Sequence, residues 1–296
     1  MPIYKQQYRQ YSGVSRHHFR WVVIIEQELR LAMQSRLLKY LMLFGLLHVL
    51  MRLAQIMIYD IIMQDPNNPM TQAFLQLDFI VVNARTFFDF IRMQATLLLL
   101  VFLVMGSGMV CNDFKNNLME VYFAKPLNWK DYVLGKLGAL VLVGLCLTAI
   151  PGTLLVILHN LLLPGWNTLQ ETWTFPFAMF GFSLLIILPT ALSILAASCL
   201  MSSESFAAAA VFVLVVTNGV FASTLSGILF DPRYMIISTP LAVYRLGLAL
   251  FTSETRYIGQ DFMGVGWQPA LVNVLLVCVV AGSIFILRVR KAEVAV

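Results

Sequence analysis

Tyr132–Leu158 reads YVLGKLGALVLVGLCLTAIPGTLLVIL, with Lys136 as its single charge. Crossing a hydrocarbon core of about 30 Å takes roughly 20 mainly apolar residues in a helix, and this stretch is long enough. Five others share its character: Leu37–Tyr59, Phe88–Cys111, Phe175–Met201, Phe206–Phe230 and Gln268–Leu287. Within lipid the backbone must satisfy its own polar groups, so runs of this length are helical. The fold class is therefore all-α, a polytopic membrane protein with six spans.

Composition agrees. Hydrophobic residues make up 59% of the chain, charged residues 12%, and mean hydropathy is +0.80. A soluble domain carries about twice that share of charge. No segment between the spans is large enough for a second domain, so 1–296 reads as one transmembrane unit. The net charge of +5 does not form a patch for nucleic acid, because the basic residues flank the apolar spans. Cys111, Cys146, Cys199 and Cys278 lie in or at the ends of spans, without metal or redox spacing, and read as small hydrophobes. The first 36 residues hold no apolar stretch with a cleavage site, so the first span is expected to remain as an anchor.

Lysine and arginine set the orientation. With the N-terminus inside, the inner side receives Lys5, Arg9, Arg16, Arg20, Arg30, Arg36, Lys39, Lys115, Lys125, Lys130, Lys136, Arg288, Arg290 and Lys291. The outer side receives Arg85, Arg233, Arg245 and Arg256. Fourteen against four places both termini in the cytoplasm.

Ahead of the first span, Phe19–Arg36 places Val22, Ile25, Leu29, Ala32 and Met33 at helical spacing, with Glu26 and Arg30 ordered for an i,i+4 pair. This predicts an amphipathic helix along the inner surface, or a cytoplasmic extension of the first span. Pro189 predicts a kink in the fourth span. Ser202–Ser205 is so short that the fourth and fifth spans are antiparallel neighbours. The outer segment Asp231–Trp267 holds two apolar stretches, Tyr234–Val243 and Leu246–Phe251, each too short to span and so read as a re-entrant or interfacial pair.

Most catalytic readings fail. There is no G-x-x-x-x-G-K-[ST] phosphate loop and no H-E-x-x-H helix, and Gly106-Ser107-Gly108 and Leu225-Ser226-Gly227 fit close helix packing better than a serine protease. His48 and Arg52 lie four apart on the first span. One reading has them line a cavity and meet an anionic head group; the other has Arg52 snorkel outward while His48 packs. Arg92 has Asp89 as a local partner.

The inner loop, Asn112–Asp131, carries more information. Phe114, Leu118, Val121 and Tyr122 share a helical face, and the helix must stop before Pro126. Asn128 is placed as an N-cap with Asp131 as its capping-box partner at the start of the third span. A rigid hairpin between two membrane helices results, able to pass a push from a soluble partner into the membrane.

Gly106-Ser107-Gly108, Cys111-Asn112-Asp113, Tyr122-Phe123-Ala124-Lys125-Pro126-Leu127, Asp131-Tyr132 and Gly135-Lys136-Leu137 in this order resemble permeases of the type-2 ABC exporter family. The motif covers about thirty residues; the preceding amphipathic helix, the six spans and Ser238-Thr239-Pro240-Leu241 agree with it. The resemblance implies a permease dimer, here a homodimer, on two copies of a separate ATPase subunit, in a bacterial or archaeal cytoplasmic membrane. It implies no cofactor in this chain, with ATP and magnesium held by the partner. The inner loop would contact the ATPase through Phe114, Leu118, Glu120, Val121, Tyr122, Lys125 and Trp129, and His48 and Arg52 would border the cavity between copies. Two other readings stand beside it. One is a membrane anchor or assembly factor that recruits an ATPase without transport. The other is an ion-coupled carrier, disfavoured because no span shows an acidic residue near its centre.

Overall fold

The computed structural model describes residues 19–64, 71, 80–124, 127–163, 165–251 and 265–295. Among them all regular structure is helical, and six helical stretches are long and apolar enough to cross a membrane. The chain is a multi-pass all-α membrane protein. Helix α1, Arg20–Ala32, precedes the first span, α2, Arg36–Met63; the second is α3, Ala84–Lys115. A short α4, Leu118–Phe123, leads to the third span, which is made of two helices, α5, Trp129–Leu147, and α6, Ala149–Leu162. After α7, Trp166–Thr172, come the fourth and fifth spans, α8, Phe175–Leu200, and α9, Glu204–Leu229. A 3-10 turn, Pro232–Ile237, precedes α10, Thr239–Phe251, and α11, Trp267–Ala295, is the sixth span.

The helices overrun the expected spans at most ends, because they continue through the polar interface until a cap stops them. Ser35 caps α2 by accepting the Leu38 N–H at 3.3 Å, and Asn83 and Thr86 form a reciprocal box at the start of α3. The core lies around α3 and α8, which pack on each other most extensively. Gly106 permits this approach: a Cβ there would lie 2.8 Å from Ile194 Cγ2. Ser198 then enters the backbone ladder of α3. Its hydroxyl accepts the N–H groups of Val110 and Cys111, at 3.1 and 2.9 Å, and donates to the Ser107 carbonyl at 2.6 Å.

Several expectations need correction. The third span breaks at Thr148, three residues before Pro151, which lacks an N–H and crowds the preceding turn. Pro189, where a kink is expected, does not break α8, which runs on as one helix from Phe175 to Leu200. The two apolar stretches Tyr234–Val243 and Leu246–Phe251 do not form a pair of helices: they meet in α10, with Pro240 in its first turn, where a missing N–H is tolerated. The rest of that outer segment, 252–264, lies outside the described residues.

Helix α1 is amphipathic as expected, with Arg30 paired to Glu26 at 3.1 Å. Its buried face is rotated from the expected one: Ile24, Ile25 and Glu28 are buried, while Val22 and Met33 are exposed. The cause is a docking site on α5. Gly135 and Gly138 form a groove there that the Ile24 and Ile25 side chains fill. Contacts from α1 to α5, and from Trp129 to Glu293 near the end of α11, bring both terminal helices to the hairpin's end of the bundle.

Candidate functional site

The hairpin begins where α3 stops. Asn116 leaves the helix and Asn117 turns the chain in the left-handed region, at φ 55°, which asparagine tolerates better than most residues. The single helix expected from Phe114 to Tyr122 is therefore two. Phe114 ends up on α3, partly buried under the Arg288 guanidinium 5.4 Å from its ring, and α4 starts afresh at Leu118. On the return strand of the hairpin the capping box between Asn128 and Asp131 is present, with Asp131 Oδ2 accepting the Asn128 N–H at 3.3 Å.

The loop residues sort into two sets. Met119 is buried, and Tyr122 packs inward, edge-on to Tyr132 at 5.4 Å. Trp129 is partly buried, its backbone N–H donating to Glu293 at 3.2 Å, with the Lys130 ammonium 5.7 Å from its ring. Leu118, Glu120 and Val121 face outward; Leu118 is 37% and Val121 54% exposed. Lys125 lies outside the described residues.

Beneath the hairpin is a buried ionic cluster that joins three helices. Lys136, 1% exposed, reaches from α5 to Glu28 of α1 at 2.5 Å and to Asp113 of α3 at 2.6 Å. Its third donor goes to the Met109 carbonyl at 2.7 Å, so all three ammonium protons have acceptors. The Tyr132 hydroxyl donates to Asp113 at 2.7 Å, and the rings of Tyr132 and Tyr122 lie 5.2 and 5.9 Å from the ammonium. Burial lifts the Glu28 carboxyl above its ordinary range, against the pull of Lys136, and pushes the Tyr122 phenol up. Asn112 donates to Glu204 at 3.2 Å, tying the start of α9 to the same end. The base of the hairpin is thus tied to α1, α3 and α5.

Lys136 was legible as a basic residue at the head of a span, Asp113 as part of a motif, and Glu28 as neither. One polar residue on the mostly apolar side of an amphipathic helix was the available signal.

His48 and Arg52 separate. The His48 ring stacks on Phe90 of α3 at 5.3 Å and 16°. Arg52 is half-buried and donates to Gln55 at 2.7 Å. A second buried pair involves Asp60, which follows the end of the expected first span at Tyr59. It lies inside α2, fully buried, 2.8 Å from His159 Nδ1 of α6, and its Oδ2 has no partner. Among the described residues no three His, Cys, Asp or Glu side chains converge as metal ligands.

Comparison with protein-family models and with curated proteins finds no match for this chain.

Proposed function

We propose that this chain is the permease subunit of an ABC exporter, moving a cargo across a bacterial or archaeal cytoplasmic membrane with ATP hydrolysed by a separate subunit. The observation that carries the reading is the hairpin: an outward Leu118–Glu120–Val121 face, fixed through the Lys136 cluster to three membrane helices. A soluble motor needs both, a surface to push on and a rigid path into the bundle. The second copy is assigned to α2 and α9, which flank α3; only 11% and 17% of their most apolar stretches is buried, against 61% for α3. Leu118 and Val121 are the anchoring apolar groups, and Glu120 orients the partner. Phe114 and Tyr122 act from behind, as supports. Purified from its native membrane, the chain is expected to bring down a soluble chain with a phosphate loop. Leu118→Ala with Val121→Ala should weaken that recovery about tenfold, whereas Leu169→Ala on α7 should not. Wild-type recovery by the double variant would remove the coupling role, and with it the distinction from any other six-span protein.

One observation favours a second reading, an ion-coupled carrier. Asp60 of α2 and His159 of α6 form a buried carboxylate–imidazole pair, 2.8 Å apart. Proton entry into proteoliposomes, read by an entrapped pH dye without ATPase, supports this reading only if Asp60→Asn abolishes it.

A further inference from the structure

Three arginines of α2 and α3 stand around a carboxylate that is, among the described residues, the one acidic group there. Arg85, Asp89 and Arg92 share one face of α3, with Arg85 Nε 3.5 Å and Arg92 Nε 3.2 Å from the two oxygens of Asp89. The antiparallel register of α2 is set by His48 on Phe90 and by the Gln94 amide donating to the Gly45 carbonyl at 3.2 Å. One turn beyond His48, Arg52 therefore lies level with the Arg85–Asp89 turn, within electrostatic reach of Asp89. On the other flank Tyr244 of α10 holds its ring 5.9 Å from the Arg92 guanidinium.

The charges do not balance. Among the described residues, three guanidinium groups and one carboxylate leave a net charge of +2 at this place. Arg85 and Arg92 each spend one N–H direction on Asp89, and their side chains remain 62% and 51% exposed. Arg52 uses only Nη1, on Gln55. Each arginine has five donors in a planar fork suited to phosphate and carboxylate. Arg85 is in the first turn of α3, and Arg92 lies seven residues, about 10 Å, deeper. Unbalanced guanidinium charge at such depth is costly in lipid and marks a site for an anion. Deeper still, the exposed side of α3 continues as Thr96 and Leu100 beside Met93, and α2 exposes Leu47 and Met51. The gradient from charged to apolar matches an amphiphile.

We propose that Arg52, Arg85 and Arg92 form a binding site for the phosphate head group of an anionic lipid, whose chains lie along α2 and α3. The site is independent of any ATPase partner. His48 takes no part in it.

Native mass spectrometry of the detergent-solubilised full chain tests this with phosphatidylglycerol, phosphatidylcholine and inorganic phosphate. The wild type should retain phosphatidylglycerol about tenfold better than phosphatidylcholine, and Arg52→Gln and Arg92→Gln should each remove most of that preference. Arg52→Gln breaks only the Gln55 bond, so its folding is the less exposed to doubt. Asp89→Asn removes the one internal counter-charge and should raise phosphatidylglycerol retention; a purely structural ion pair predicts no gain. Equal retention of the two lipids, or unchanged retention in monodisperse Arg52→Gln, overturns the site. Displacement of the lipid by millimolar inorganic phosphate overturns the lipid assignment in favour of a free oxyanion.

Discussion

Replacing Lys136 by methionine keeps the length of the side chain and deletes its charge. In the native protein that ammonium satisfies Glu28, Asp113 and the Met109 carbonyl at 2.5 to 2.7 Å, with 1% exposure. After the change two carboxylates face each other in a dry site, with Tyr132 the remaining donor to Asp113. Removing one partner of a buried pair costs about 3–5 kcal/mol, because the other charge stays behind without compensation. At roughly 2–4 °C per kcal/mol, melting in detergent should fall by about 6–20 °C. Glu28 is the link to α1, so limited trypsin cleavage at exposed Arg30 should also accelerate as α1 lifts from α5. Neutralising all three groups at once, with Glu28→Gln, Asp113→Asn and Lys136→Met, should recover most of the loss. Lys130→Met, at an exposed position, should change stability by less than about 0.5 kcal/mol. If Lys136→Met melts within about 2 °C of the wild type, or the triple variant is no better than the single, the cluster does not bind the hairpin to the bundle.

Gly135→Ala should detach α1 more gently, since the added Cβ would lie 2.6 Å from Ile24 Cβ and 3.1 Å from the Trp21 carbonyl. The backbone atom cannot rotate away, so a loss of about 1–3 kcal/mol in the same melt is expected. Stability should also depend on pH through Glu28, whose carboxyl burial raises above its ordinary 4.5. A group raised in the folded state contributes fully below its unfolded value and loses that contribution as pH rises through the folded one. Melting temperature should therefore decline as pH climbs above 4.5, and Glu28→Gln should flatten that part of the profile. Ser198→Ala removes three hydrogen bonds that tie α8 to the α3 backbone and should cost about 1–3 kcal/mol, whereas Ser223→Ala, on exposed α9, should cost little.

Apolar runs by themselves determined the class and the six spans, because a bilayer imposes one length and one hydrogen-bonding solution on any segment that crosses it. Local rules also served wherever the relevant partners are near in sequence: the Asn128–Asp131 box and the Glu26–Arg30 pair formed as read, and α1 is an amphipathic helix, though with another face buried. Where partners come from distant helices, the chain order carried no usable signal. Glu28 meets Lys136 across 108 positions and His159 meets Asp60 across 99, and local periodicity names neither partner. The rotation of α1 followed from a glycine groove on α5, and the division of the hairpin anchors followed from a turn at Asn117 that no apolar pattern records. Hydrophobicity is a property of a segment and can be read from it. The pairing of buried charges depends on which segments meet, and only the packed bundle decides that.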